Sequence, residues 1–214
     1  MRKITKDALG GMVYDAIRRM IADQVLVPGQ KLIKKDLGET LGVSQTPVIE
    51  ALNRLTGEGL VEQRGRSGQF VKKFTYSDLA DLFAVRAGLG GVSIRICVEQ
   101  LADRQLEPLV TCFDGFELPF DDDEYLRYEK ADRKFHELIV RLSNNGAIQD
   151  LQENYNFIMR TYQRGLIRPP EETLSEHLEI IQAVRERNPV KAQELLTRHD
   201  LASRKYIVAT YLQA

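Results

Sequence analysis

"LGVSQTPVIEALNRLTGEGLVEQRGRSGQFV", residues 41–71, decides the architecture of the first third of this chain. Gly42 can adopt the left-handed backbone that a sharp corner between two helices needs. Ser44 can cap the helix that follows, and Pro47 falls in its first turn, where a missing N–H costs little. Val48, Leu52 and Leu55 recur at the spacing of one apolar helical face. After Gly59 the pattern changes. Leu60-Val61 and Phe70-Val71 flank "RGRSG", residues 64–68, a Gly-rich turn with two arginines that reads as a hairpin.

Working upstream, residues 10–26, "GGMVYDAIRRMIADQVL", place Val13, Ile17, Met20, Ile21 and Val25 on one helical face, and Pro28-Gly29 stops that helix. "KKDLGETLGV", residues 34–43, supplies a short helix with Leu37 and Leu41 inward. Two short helices joined by a Gly-containing turn, the second opening on Ser44, Gln45 and Thr46, follow the plan of a helix-turn-helix that reads DNA. The basic hairpin behind them reads as a wing reaching for phosphates or the minor groove. Charge agrees: residues 1–75 hold 13 Lys+Arg against 8 Asp+Glu, whereas the remainder holds 17 against 23. A basic first third on an acidic remainder suits one module that meets a polyanion and another with a different task. The candidate DNA contacts are Lys34, Lys35, Ser44, Gln45, Thr46, Arg54, Arg64 and Arg66, with double-stranded operator DNA as partner.

From Thr75 onward the chain reads as helical throughout. Thr75 or Ser77 can cap a helix to about residue 102, with Leu79, Leu82, Phe83, Arg86, Leu89, Val92 and Ile96 along one face. Further helices are expected near 105–116, from the acidic "DDDE" at 121–124 to Leu142, and at 147–165, 171–187 and 190–212, with Pro169, Pro170 and Pro189 at the starts. The fold class is therefore mostly α: a winged helix-turn-helix over 1–75 and a six- to seven-helix antiparallel bundle over 76–214. With 43% hydrophobic residues, 29% charged residues and no apolar run near the roughly 18 residues of a membrane span, a cytoplasmic protein with no membrane partner is expected. Cys97 and Cys112 lack C-x-x-C spacing and read as buried thiols.

The chain has three histidines. His136 stands four after Asp132 in "ADRKFHELI", so the two share a helical face. His177 in "LSEHLEIIQAV" and His199 in "LLTRHDLASRKY" each fall on the apolar stripe of a later helix. Three inward imidazoles and one carboxylate want one another or an ion, and the set suits Zn(II), Ni(II) or a similar divalent cation. A hydrogen-bonded cluster without metal is the plain alternative.

Residues 41–71 resemble the winged helix of GntR-type bacterial transcriptional regulators, and "ADRKFHELIVRLSNN", "SEHLEIIQAV" and "RHDLASR" are similar to segments of the FCD effector domain of the FadR subfamily. The resemblance departs at Gln45 and Ile49, where that family usually has arginines; an isoleucine cannot make an arginine's bidentate contact. It implies a metal held by Asp132, His136, His177 and His199, a small organic acid effector completing the coordination, and a homodimer. Arg86 is the candidate for the effector carboxylate, with an internal salt bridge as its structural alternative. The family's following acidic residue is Gly90 here, beside Gly91, which implies looser packing. Two other readings stand beside a ligand-responsive regulator. One is a metalloenzyme, for which no H-E-x-x-H, nucleophile elbow or P-loop is present. The other is a regulator whose metal is structural or is itself the signal.

Overall fold

A computed structural model describes residues 6–162 and 165–212. The first helix, α1 (Lys6–Ala22), buries Val13, Tyr14, Ile17 and Ile21. It stops before Val25, which is exposed; Leu26 turns inward instead, because the chain leaves helical periodicity at the turn after Ala22. Strand β1 (Lys31–Leu32), which the sequence did not suggest, precedes α2 (Lys34–Leu41) and α3 (Gln45–Gly57). Gly42 ends α2 in the left-handed conformation at φ 67°, making the expected corner. Ser44 holds the N-cap backbone geometry of α3, yet its side chain makes no capping hydrogen bond, and it is exposed. Val48, Leu52 and Leu55 are fully buried, each contributing roughly 1.5–3 kcal/mol. The wing is β2 (Val61–Gln63) and β3 (Gln69–Val71), antiparallel with Val61 opposite Val71. β1 adds to the other edge of β3, with Lys31 opposite Phe70. The sheet order is β1-β3-β2.

In the second part, α4 (Tyr76–Gln100) begins with a reciprocal cap: Thr75 Oγ1 accepts from the Asp78 amide at 3.2 Å, and the Thr75 amide donates to Asp78 at 2.8 Å. α5 (Asp103–Val110) is shorter than its expected range, and α6 (Asp122–Leu142) is capped by Asp121. α7 (Gly146–Tyr162), α8 (Pro170–Arg185) and α9 (Pro189–Tyr211) follow, the last two with proline at their first positions. One compact unit comprises the chain up to Phe74 together with the end of α7 from Phe157; the other comprises Thr75–Asn156 and the chain after α7. No helix among the described residues is long and apolar enough to cross a membrane.

The α4 stripe departs from expectation in a way that matters for the site. Leu79 and Phe83 are buried, but Val92 is exposed, and the inward face continues through Ala87, Gly90, Gly91 and Ile94. Small residues face inward where α4 packs on α9, the helix it meets most extensively. A Cβ at position 91 would run into Thr197 Oγ1, whereas one at position 90 would make only ordinary contacts, so packing is tight at Gly91 where looser packing was expected. The bundle core adds Phe113, Tyr128, Phe135, Ile139, Ile180 and Leu196.

Candidate metal centre

Helix α6 presents Asp132 and His136 one turn apart, α8 contributes His177, and α9 contributes His199. The histidines are buried, while a fifth of the Asp132 side chain stays accessible. Each of the four residues offers a ligand atom, and these atoms all lie within 4.8 Å of one another. Asp132 Oδ1 is 3.4 Å from His177 Nε2 and 4.0 Å from His136 Nε2. Donors about 2.1 Å from one ion stand about 3.4 Å apart in a tetrahedron and about 3.0 to 4.2 Å apart around an octahedron, so these two separations lie near those of a coordination shell, and the octahedral arrangement leaves positions open.

Hydrogen bonding behind the rings decides which nitrogen is free. The Thr173 hydroxyl donates to the Pro169 carbonyl at 3.2 Å, and Tyr128 Oη donates to Thr173 at 2.9 Å. The remaining 2.8 Å contact, between Tyr128 Oη and His177 Nδ1, therefore has the ring as donor. His177 then carries its proton on Nδ1, and its Nε2 holds a lone pair. His199 Nδ1 lies 2.7 Å from Glu176 Oε2, an acceptor, which again leaves Nε2 for coordination. Phe113 stacks on the His177 ring at 4.4 Å between centroids and holds its plane.

The Nε2 atoms of His136 and His177 are buried with no hydrogen-bond partner among the described residues. An orphaned buried acceptor costs roughly 1–3 kcal/mol, and two aimed beside a carboxylate fit a cation. Burial first, with the nearby positive charge of Arg86 adding to it, holds the His136 and His177 imidazoles well below their ordinary pKa, so both are neutral and able to ligate. Burial pushes the Asp132 carboxyl up, opposed most by Arg86.

Arg86 is placed close by, with Nε 2.9 Å from Asp200 Oδ1 and a 3.4 Å hydrogen bond from Nη1 to Tyr155 Oη. Burial works against its charge, but Asp200 and then Tyr155 outweigh that and raise it above its ordinary value. The Arg86–Asp200 contact is ionic rather than a well-aimed hydrogen bond, since among the described residues neither Arg86 Nε nor either Asp200 oxygen has a hydrogen-bond partner. Asp200 was not singled out in the sequence. Nor were Arg168 and Glu176: Arg168 Nη1 and Nη2 reach Glu176 Oε1 and Oε2 at 3.0 and 2.5 Å. Burial raises the Glu176 carboxyl, but His199 and Arg168 hold it down at about 2. The only sequence signal for this pair is the Glu176-His177 dipeptide, which says nothing about Arg168.

In the first unit, Lys34 and Lys35 open α2, and Ser44, Gln45 and Thr46 are exposed at the start of α3. Arg54 stands in the last turn of α3, with its Nε 3.1 Å from Glu58 and its guanidinium 3.7 Å over the Tyr14 ring. Arg64 pairs with Glu62 at 2.6 Å and stacks over Phe70, while Arg66 is exposed in the wing turn.

Residues 81–202 match the FCD domain, and residues 9–71 match the bacterial regulatory proteins of the gntR family. Among curated relatives, the HTH-type transcriptional regulator YdhC of Bacillus subtilis is 25% identical over 87% of this chain and 85% of its own length. The HTH-type transcriptional repressor RspR of Escherichia coli is 23% identical over 87% of this chain and 83% of its own. A probable D-xylose utilization operon transcriptional repressor of Paenarthrobacter nicotinovorans is 25% identical over 100% and 91%. A putative GntR transcriptional regulator from Rhodococcus sp. RHA1 shares the fold at a TM-score of 0.65, with 21% identity over 94% of this chain and 98% of that one.

Proposed function

Since the chain belongs to the GntR family of bacterial regulatory proteins and carries the family's FCD domain, a transcriptional regulator and not an enzyme, we propose that it is a ligand-responsive homodimer whose bundle holds a divalent cation. In this reading the protein works in the cytoplasm, where its winged helix grips double-stranded operator DNA. Asp132, His136, His177 and His199 hold the ion, zinc, nickel or a similar borderline cation. When bound, the ion supplies open coordination positions for the carboxylate of a small organic acid effector. An effector alters DNA affinity only if it binds the DNA-competent and incompetent states differently.

The observation that carries this reading is the pair of buried Nε2 atoms on His136 and His177, without a hydrogen-bond partner among the described residues, converging with His199 beside Asp132. Elemental analysis and thermal melts of the purified protein with small organic acids, before and after chelation, test it. Bound divalent metal and a carboxylate response that disappears on chelation are expected; stability and response indifferent to chelation contradict it. For DNA, the exposed start of α3 with Lys34, Lys35 and Arg66 supports contact, with Ser44 free to use its hydroxyl. Arg54 and Arg64, already held by acids and rings, contribute less. For the dimer, support comes from Val85 and Val92 on α4 and Val190 and Leu201 on α9, apolar side chains left exposed. Light scattering on the intact protein and on Val92→Glu tests it, with loss of the dimer expected in the variant.

A second reading, in which the ion is structural or is itself the signal, is favoured by one observation: Arg86 is already matched by Asp200. Bound metal with no carboxylate response in the same thermal melts would select it.

A further inference from the structure

Arg168, in the segment before α8, is nearly inaccessible to solvent, at 5% exposure, although it contributes no ligand atom to the metal site. Its guanidinium ties two helices together. Nη1 and Nη2 grip Glu176 of α8 as a fork, Nε donates to Ser203 Oγ of α9 at 3.2 Å, and Nη2 donates to the His199 carbonyl at 3.2 Å. The same Nη2 stands 3.3 Å from His199 Nδ1, to which Glu176 Oε2 is closer, at 2.7 Å. A guanidinium only donates and a carboxylate only accepts, so the two make opposite demands on one ring nitrogen. Glu176 favours the Nδ1–H tautomer, which leaves Nε2 a lone pair. Arg168 facing that nitrogen alone would favour Nε2–H, which cannot ligate. His177 has no such ambiguity, because its chain through Tyr128 and Thr173 ends on a carbonyl that can only accept.

Resting on the metal reading above, we propose that Glu176, clamped by Arg168, sets the His199 tautomer that can bind metal, and that Arg168 is a positioning residue acting on the ion through Glu176. The clamp has two sides. Arg168 fixes the carboxylate against Nδ1, and it supplies the competing donor once that carboxylate is gone.

The test uses the full chain, zinc in competition with a chromophoric chelator, and long-range proton–nitrogen NMR of the histidine rings in metal-free protein. The wild type is expected to show His199 protonated on Nδ1. Glu176→Ala is expected to move that proton to Nε2 and to weaken zinc binding by about 10- to 100-fold. Arg168→Gln is expected to weaken zinc less, and the double variant to bind no more weakly than Glu176→Ala, because the competing donor leaves with the clamp, as expected for residues acting through one another. Glu176→Gln and Arg168→Lys, closer in shape or charge, serve if either larger change prevents folding, and are expected to shift zinc affinity in the same direction by less. Three results would overturn the proposal: His199 still protonated on Nδ1 in Glu176→Ala, losses that multiply in the double variant, or a lowered melting temperature of the metal-free protein with zinc affinity unchanged. A wild type that binds no zinc defeats the metal reading instead. The tautomer spectrum, read without metal, still tests the clamp.

Discussion

His177 shows in one side chain why the site reads as a metal centre: its Nδ1 is spent on Tyr128, and its Nε2 is buried with no hydrogen-bond partner among the described residues. Replacing it with alanine removes a ligand as well as an unsatisfied acceptor. Zinc at about 100 times its dissociation constant should stabilise the wild type by about 2.7 kcal/mol, and His177→Ala should lose nearly all of that gain. Thermal melts with and without zinc check this; an equal zinc-induced shift in the variant would contradict the assignment. Cys97 makes a separate residue-level prediction. Burial pushes its thiol up to about 12, and its Sγ meets the Ile139 carbonyl at 3.3 Å. Below that pKa the thiol keeps its proton, so at pH 8 a disulfide reagent should leave Cys97 unmodified until denaturant is added. Labelling at Cys97 in the native protein would show that α4 opens. The histidines were legible in sequence because each falls on its own helix's apolar stripe. Asp200 and Arg168 were not, because their partners lie on other helices and local spacing is silent about them.

Among the elements, the α4–α9 pair bears the most on the site, since α9 carries both His199 and the Asp200 that meets Arg86 of α4. Gly91 sets how closely the two approach. Gly91→Ala should therefore destabilise by about 1–3 kcal/mol through overpacking, despite alanine's better helix propensity. A lower urea midpoint at unchanged slope is the expected result, and an unchanged or higher midpoint would mean that Thr197 yields freely. Helix starts were readable where chemistry is local: Thr75 and Asp121 cap their helices through hydrogen bonds three residues ahead. The inward face of α4 was not readable by hydrophobicity, because a close helix partner selects small residues and leaves Val92 outside. β1 escaped for a related reason. Two residues carry no periodicity, and only pairing with β3 makes Lys31–Leu32 a strand.

At the scale of the whole molecule, the charge asymmetry and the helix-turn-helix motif pointed to two modules, while the grouping of the end of α7 with the first unit lies beyond any sequence pattern. Operator binding should weaken steeply with salt. Arg66→Ala should lower affinity across sequences and reduce the magnitude of the log-affinity against log-salt slope by about 1, the signature of one lost phosphate contact. Arg54→Ala should leave that slope nearly unchanged, because its guanidinium already serves Glu58 and Tyr14. Equal slope changes in the two variants would reverse their roles. The central claim, that three imidazoles and one carboxylate from α6, α8 and α9 form a single cation site, is tested most directly by the stoichiometry of zinc bound at equilibrium. One zinc per chain is predicted for the wild type, and none for a chain with Asp132, His136, His177 and His199 all replaced by alanine. Equal binding by the two, or none by the wild type, would contradict it.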